Sequence, residues 1–274
     1  AVARIFEVKG RPAHNPIIVH AASLAMARRC VARWPAAAGK LAKAFWPGPL
    51  TLVLPKPEVI PDIVTAGGPT VGVRWPSHPF IQAVIRECGF PLAAPSANLS
   101  NQISPTNAEH VRRQLGGRIR FIVDGGQSQV GIESTVLDLT AKPPAILRPG
   151  MIHAETLAAI IGNVAANASS RRAVGRVLPH RRLTSVATRT VPFRSPGLFR
   201  KHYAPKARLV VLTWRDAGDL KSQISNLGLA METAHVIAHS QIPANEGFAD
   251  VSVLPHDAEA FARALYAEWH RCDE

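Results

Sequence analysis

The chain has 274 residues, 47% of them hydrophobic and 19% charged, with a formal net charge of +13. That balance excludes a disordered polyelectrolyte and predicts a folded soluble protein whose length favours two domains. No apolar run approaches a membrane span, nothing in the opening residues reads as a secretory signal, and the positive surplus points to a polyanionic ligand, either a nucleotide or a nucleic acid.

The first residues read as the last turns of a helix, with Val2, Ile5 and Phe6 on one face. Lys9-Gly-Arg11-Pro-Ala-His-Asn15-Pro then runs into a predicted strand over 16–20. Two cations at that spacing in an extended segment project to one side and can grip a single phosphate; a solvated helix end is the alternative. Asn15 and His20 flank the strand, and His20 taken alone reads as a packed histidine. Helices are predicted over 23–34 and 36–44, then strands over 50–55 and 70–75. Thr70 and Arg74 fall on one side of the second of these, and an inward arginine needs an anion, either a ligand or an internal carboxylate.

A helix over 78–88 leads to a strand over 91–94, which breaks in Ala94-Pro-Ser96-Ala-Asn98 with Ser104-Pro-Thr106 behind it. Small residues there allow a ligand to approach backbone N–H groups while Ser96, Asn98 and Ser104 offer polar contacts; an ordinary turn would use the same residue types. Thr106 is the expected N-cap of a helix over 107–115, with Glu109 completing a capping box. A strand over 119–123, a turn at Asp124-Gly-Gly, a strand over 134–139 headed by Glu133-Ser134-Thr135, and a strand over 145–148 ending in Arg148 follow. A closing helix covers 155–161. This alternation predicts an α/β domain with a twisted, mixed sheet.

From Asn163 to about Pro196 no periodicity persists, and no acidic residue stands between Glu155 and Asp216, whereas arginines crowd there from Arg171 to Arg200. That composition reads as a linker. A strand over 208–214, a helix over 217–227, a strand over 234–239 and a helix over 257–270 then predict a small Rossmann-like α/β domain, incomplete because its pattern stops in mid-helix. The expected division is 1–163, 164–207 and 208–274. Cys30, Cys88 and Cys272 form no CxxC pair and read as core thiols of a reducing cytosol, against a structural zinc site. There is no GxxxxGK[ST], GxGxxG or HExxH, so the constellation suits binding and charge stabilisation more than covalent catalysis.

Taken together, Lys9-Gly-Arg11-Pro…Asn15-Pro-Ile-Ile-Val-His20, Phe45-Trp-Pro-Gly-Pro-Leu-Thr-Leu-Val-Leu, Ala94-Pro-Ser96-Ala-Asn98, Gly131-Ile-Glu-Ser134-Thr-Val and Ser195-Pro-Gly-Leu-Phe-Arg-Lys-His-Tyr203-Ala-Pro-Lys resemble the threonylcarbamoyl-adenylate synthase family, the YrdC-like proteins of the two-domain kind. The resemblance covers essentially the whole chain. It implies a cytoplasmic nucleotidyltransferase that makes L-threonylcarbamoyladenylate and pyrophosphate from L-threonine, bicarbonate or CO2, and ATP with Mg2+. The product would pass to the machinery that modifies adenosine 37 of tRNA. It further implies Lys9 and Arg11 as catalytic cations and Arg11, Asn15, Thr70, Ser96, Asn98, Ser104, Arg148 and Tyr203 as ATP contacts. His20, Arg74, Ala94 and Ser134 would hold threonine, and Tyr203 would belong to a lid. The family's opening Pro-Thr-Glu-Thr-x-Tyr-Gly segment is not in the sequence, so the chain is expected to be a fragment of weak or no activity. Competing readings are a double-stranded RNA or tRNA binder without catalysis, with weak RNA affinity as a lesser expectation, and a carbamoyl-adenylate enzyme of hydrogenase maturation. The family account leaves the arginine-rich linker unexplained.

Overall fold

The structure is a computed structural model that describes residues 1–129, 133–166, 204–245 and 247–273. The chain divides into two compact units, Ala1–Ser100 with Glu133–His202, and Asn101–Ile132 with Tyr203–Glu274.

The first unit is built on a seven-stranded mixed sheet in the order β4-β1-β3-β2-β5-β6-β7. The strands are β1 (Val19–His20), β2 (Leu50–Pro55), β3 (Thr70–Arg74), β4 (Leu92–Ala93), β5 (Thr135–Asp138), β6 (Ala145–Arg148) and β7 (Ala165–Ala166). β1 runs parallel to β3, β2 parallel to β5, and the β2–β3 and β5–β6 pairs are antiparallel. The mixed α/β sheet expected from the alternation is therefore present.

Because successive strand residues point to opposite faces, the sheet sorts its side chains. Val19, Leu50, Leu52, Leu54, Val71, Val73, Leu137 and Ile146 face one way into a single core. Helices α2 (Leu24–Arg29), α3 (Ala36–Phe45), α5 (Pro79–Cys88) and α7 (Ala154–Ile161) cover it with Met26, Ala27, Ala38, Leu41, Ile85 and Leu157. The opposite face carries Ile18, His20, Thr51, Val53, Thr70, Gly72, Arg74, Ser134 and Val136 by the same alternation. A register shift in β5–β6 sets Val136 opposite Arg148 but Leu137 opposite Ile146, which leaves Leu147 as an extra residue. Leu147 packs with Val53 and Val136.

Several sequence expectations are corrected here. Lys9 and Arg11 do not lie in an extended segment: α1 (Val2–Lys9) ends at Lys9, and Gly10 adopts the left-handed conformation at φ 59° that ends a helix cheaply only at glycine. The helix expected to reach Trp34 stops at Arg29, because the Ala32 amide donates to the Pro55 carbonyl at the end of β2 and draws the backbone away. The linker expected from residue 164 begins with strand β7, paired to β6. A short helix, α4 (Asp62–Thr65), was not foreseen. Cys30 alone of the cysteines is buried, Cys88 being exposed and Cys272 half-buried.

The second unit holds α6 (Ala108–Leu115), α8 (Ala217–Asn226), a parallel pair β8 (His235–Ala238) and β9 (Asp250–Val253), and α9 (Ala258–Cys272). Leu220, Ile224, Val236 and Phe248 form its buried centre. Asn107, not Thr106, caps α6, accepting from the His110 amide at 2.9 Å. The His110 ring stacks on His270 of α9 at 3.8 Å between centroids.

The strands predicted over 119–123 and 208–214 are absent. Phe121 is 86% exposed, so the first segment does not gain the burial that would offset its ordering, whereas in the second Leu212 and Trp214 pack against the unit's core without the backbone forming a ladder. The predicted strand over 234–239 is β8, and β9 escaped notice because Asp250 and Ser252 interrupt its apolar residues. Among the described residues no helix is long and apolar enough to cross a membrane.

Candidate active site

The face of the first sheet opposite the helix-packed core has an apolar stretch and a polar, cationic end. Ile18, Thr51, Val53, Thr70, Gly72 and Val136 line a small cavity of about 10 Å³ together with Pro16 and Thr65. Gly72 leaves that stretch uncrowded: a Cβ there would come within 3.3 Å of Thr51 Cγ2 and 3.6 Å of Ile18 Cγ1. Thr70 and Arg74 sit on this face, as expected from their spacing, with Thr70 at the cavity.

At the other end of the strands the polar side chains interlock. Arg148, 6% exposed, donates from Nε to the Ser134 carbonyl at 3.0 Å and from Nη2 to Ser134 Oγ at 2.8 Å. Its Nη1 lies 3.2 Å from Glu133 Oε2. Ser134 Oγ is also 3.0 Å from Thr51 Oγ1. Arg74 donates from Nε to the Gly48 carbonyl at 2.9 Å. Burial, and then Arg148, lower its pKa against the pull of Glu133, to about 10, so it stays charged near neutrality.

The His20 ring lies deep beside Arg74. Burial first, and then the Arg74 charge, bring its pKa to about 4, with the carbonyls of Leu92 and Ile18 opposing the shift. Its Nδ1 has no hydrogen-bond partner. His20 is thus a neutral imidazole, and its linkage has a definite sign. The unfolded chain takes up the proton near the ordinary value of 6.5 while the folded chain refuses it until about 4. Stability is therefore full above 6.5 and falls as the pH drops toward 4, by at most about 1.4 kcal/mol per pH unit for one proton. His110 in the second unit, lowered to about 4 by burial first, adds a slope of the same sign. Urea midpoints between pH 7 and 4.5 should show this decline, and His20→Gln should flatten it; an identical slope in the variant would acquit His20.

Lys9 closes the set. Its Nζ donates to the Ser96 carbonyl at 2.6 Å and to both the carbonyl and Oδ1 of Asn98. Ser96 Oγ donates to the same Asn98 Oδ1 at 2.6 Å. Burial first, and then the Arg11 charge, bring the Lys9 pKa down to about 7, against the pull of Glu133. Arg11 reaches Asn15 O and Oδ1 at 3.1 and 2.8 Å and the Pro16 carbonyl at 2.6 Å, which fixes the approach to β1. Asn15 is fully buried, and its Nδ2 has no partner. In this structure, then, Lys9 and Arg11 grip loops and not a common group. The Ala94 amide donates to Ile18 at 3.1 Å.

Of the residues singled out from the sequence, His20, Arg74, Ser134 and Arg148 share one face of one sheet. Lys9 reaches Ser96 and Asn98 and is linked to that group electrostatically through Glu133. Ser104 belongs to the second unit, where its carbonyl lies 3.1 Å from His270 Nε2. Tyr203 and much of the 164–207 segment lie outside the described residues. Sequence reasoning quoted Glu133, and Gly48, Thr51 and Gly150 as parts of motifs, but gave none of them a role. The two glycines were legible only as turn residues; their close approach to backbone needs coordinates.

Residues 1–150 match the family profile Sua5_yciO_yrdC, described as telomere recombination. Residues 152–274 match that of the threonylcarbamoyl-AMP synthase C-terminal domain. The chain is 45% identical over 212 residues to threonylcarbamoyl-AMP synthase of Pyrococcus abyssi, covering 77% of this chain and 58% of that protein. Against the Bacillus subtilis protein of the same name the figures are 45% over 212 residues, 77% and 57%. The chain thus spans less than two thirds of the length of these relatives. The crystal structure of P. abyssi Sua5 complexed with L-threonine superposes with a TM-score of 0.83 at 37% identity, over 99% of this chain and 75% of that one. Profiles that together run almost end to end, and a shared fold at this identity, establish that the chain belongs to the threonylcarbamoyl-AMP synthase family.

Proposed function

We propose that the protein forms L-threonylcarbamoyladenylate and pyrophosphate from L-threonine, bicarbonate or CO2, and ATP. The product would serve the N6-threonylcarbamoylation of adenosine 37 in tRNA through a separate transferase in the cytoplasm. The observation that carries this reading is the gathering of Arg74, Ser134, Arg148 and a neutral His20 on one sheet face. Family membership and the threonine bound to the P. abyssi relative support it.

Arg74 suits the threonine carboxylate, since its guanidinium remains charged and is held by the Gly48 carbonyl. His20, being neutral, can accept or donate a hydrogen bond without repelling the substrate ammonium. Ser134 offers a hydroxyl, and the Ala94 backbone completes the amino-acid side. The amine, once deprotonated, captures CO2, and a carbamate oxygen attacks the α-phosphorus of ATP as the bond to pyrophosphate breaks. Negative charge grows on the phosphoryl oxygens, where Lys9, Arg11 and Arg148 stabilise it. Asn15, Thr70, Ser96 and Asn98 are proposed to position the nucleotide. Mg2+ enters as part of the ATP substrate; Glu133, the one carboxylate of the cluster, is already paired with Arg148. The working division is residues 1–163 for chemistry, 164–207 as a linker whose Tyr203 shields the short-lived carbamate, and 208–274 as an accessory domain.

Pyrophosphate release by the full-length protein decides the matter. Release should need threonine and bicarbonate together. Release without threonine would refute the reading, as would activity with carbamoyl phosphate in its place. RNA binding with no ATP turnover would establish the non-catalytic alternative.

A further inference from the structure

Thr51 on β2 and Thr135 on the neighbouring β5 are both fully buried, yet their hydroxyls are engaged differently. Thr135 is satisfied by backbone: its Oγ1 donates to the Ile152 carbonyl at 2.9 Å and accepts from the Ile152 amide at 3.0 Å. The Thr51 hydroxyl has one hydrogen-bond partner among the described residues, Ser134 Oγ at 3.0 Å. That partner belongs to the site.

Packing holds Thr51 in this orientation. β2 runs between β3 and β5. The Thr51 methyl lies on the β3 side, 3.3 Å from where a Cβ on Gly72 would stand, and the hydroxyl is turned to β5. A β-branched side chain engaged on both sides keeps a single rotamer.

The protons then fix the polarity of the pair. A hydroxyl carries one proton and accepts through two lone pairs. A buried hydroxyl whose proton found no acceptor would bear the cost of an unmade bond, so Thr51 donates to Ser134 Oγ. Arg148 Nη2, which can only donate, approaches the same oxygen at 2.8 Å. Both lone pairs of Ser134 are thereby occupied, and its own proton has no acceptor among the described residues.

We propose that Thr51 is a positioning residue that holds Ser134 as a hydrogen-bond donor toward an anionic carboxyl oxygen of the amino-acid substrate. So polarised, Ser134 cannot accept from the substrate ammonium. Arg74, across β2 on β3, supplies the charge that such an oxygen calls for. This role rests on the proposed reaction.

The test is a double-mutant cycle in the full-length protein, read as L-threonine affinity by calorimetry and as threonine-dependent pyrophosphate release. Thr51→Val keeps the branched shape and removes the hydroxyl. It should lower kcat/KM for threonine about fivefold to tenfold, the scale of one uncharged hydrogen bond. Thr51→Ser should restore most of that loss. In a Ser134→Ala background the Thr51→Val change should have no further effect, because the hydroxyl acts through Ser134 alone. A fall in threonine affinity without the other substrates places the acceptor in the carboxylate; a fall only in turnover at saturating threonine places it in the carbamate. Additive losses, a serine variant no better than the valine one, or a valine variant with wild-type kinetics would overturn the role and leave the reaction standing. A wild-type protein that neither binds threonine nor releases pyrophosphate with it would overturn both.

Discussion

Arg148→Ala is expected to cost about 10²–10³-fold in turnover, the scale found when a positioned donor to developing negative charge is removed. One guanidinium holds the Ser134 carbonyl, the Ser134 hydroxyl and the Glu133 carboxylate. Its loss frees the head of β5 and leaves Glu133 to face Lys9 and Arg74 unbalanced. Breaking a buried pair costs about 3–5 kcal/mol; since the Glu133 side chain keeps 19% of its exposure, about 2–3 kcal/mol of stability is the expectation here. Arg148→Lys separates charge from geometry, because an ammonium cannot reproduce the fork. Steady-state kinetics with separate titrations of ATP and threonine, beside urea unfolding, check both. A lysine variant with wild-type kinetics would reduce Arg148 to a point charge.

Gly150→Ala should be nearly as damaging, though it removes no functional group. An added Cβ would stand 2.4 Å from the Glu133 carbonyl oxygen and from the Thr135 amide nitrogen, and 2.6 Å from the Ser134 carbonyl carbon. These are backbone atoms at the start of a central strand, so no flexible side chain can move aside. Either β5 shifts or Arg148, two residues back, loses its partners. Overpacking of this sort costs about 1–3 kcal/mol, and a displacement near 1 Å at positioned groups costs about 10²-fold in rate. Gly72→Ala is the natural comparison: its tightest contact, 3.3 Å, is a methyl of Thr51, and a small adjustment suffices. Equal activity in the two variants would show that the head of β5 tolerates displacement.

Much of this could be read from the residues in order. β2 and β3 announce themselves through Leu50, Leu52, Leu54 and Val71, Val73, because a strand buried on one face repeats every second residue. Their alternation also placed Thr70 and Arg74 together. What stayed hidden depends on distant partners. Nothing local distinguishes the apolar run over 119–123 from a true strand; only the lack of burial does. Lys9 meets Ser96 and Asn98 across 87 and 89 residues of chain, beyond the reach of any periodicity. Glu133 looked like one more polar residue at a strand head until its pairing with Arg148 appeared.

The irregular pairing at Leu147 carries a consequence for chain length. With Ile146 opposite Leu137, an uninterrupted ladder would bring Leu147 against Val136 and turn Arg148 toward the helix-packed side. The one surplus residue keeps that guanidinium on the opposite face, beside Ser134, instead. Removing Leu147 would leave Arg148 opposite Val136 in a regular ladder and on the same face, at the expense of the packing Leu147 gives Val53 and Val136, whereas inserting one residue after it would turn the guanidinium into the oily interior.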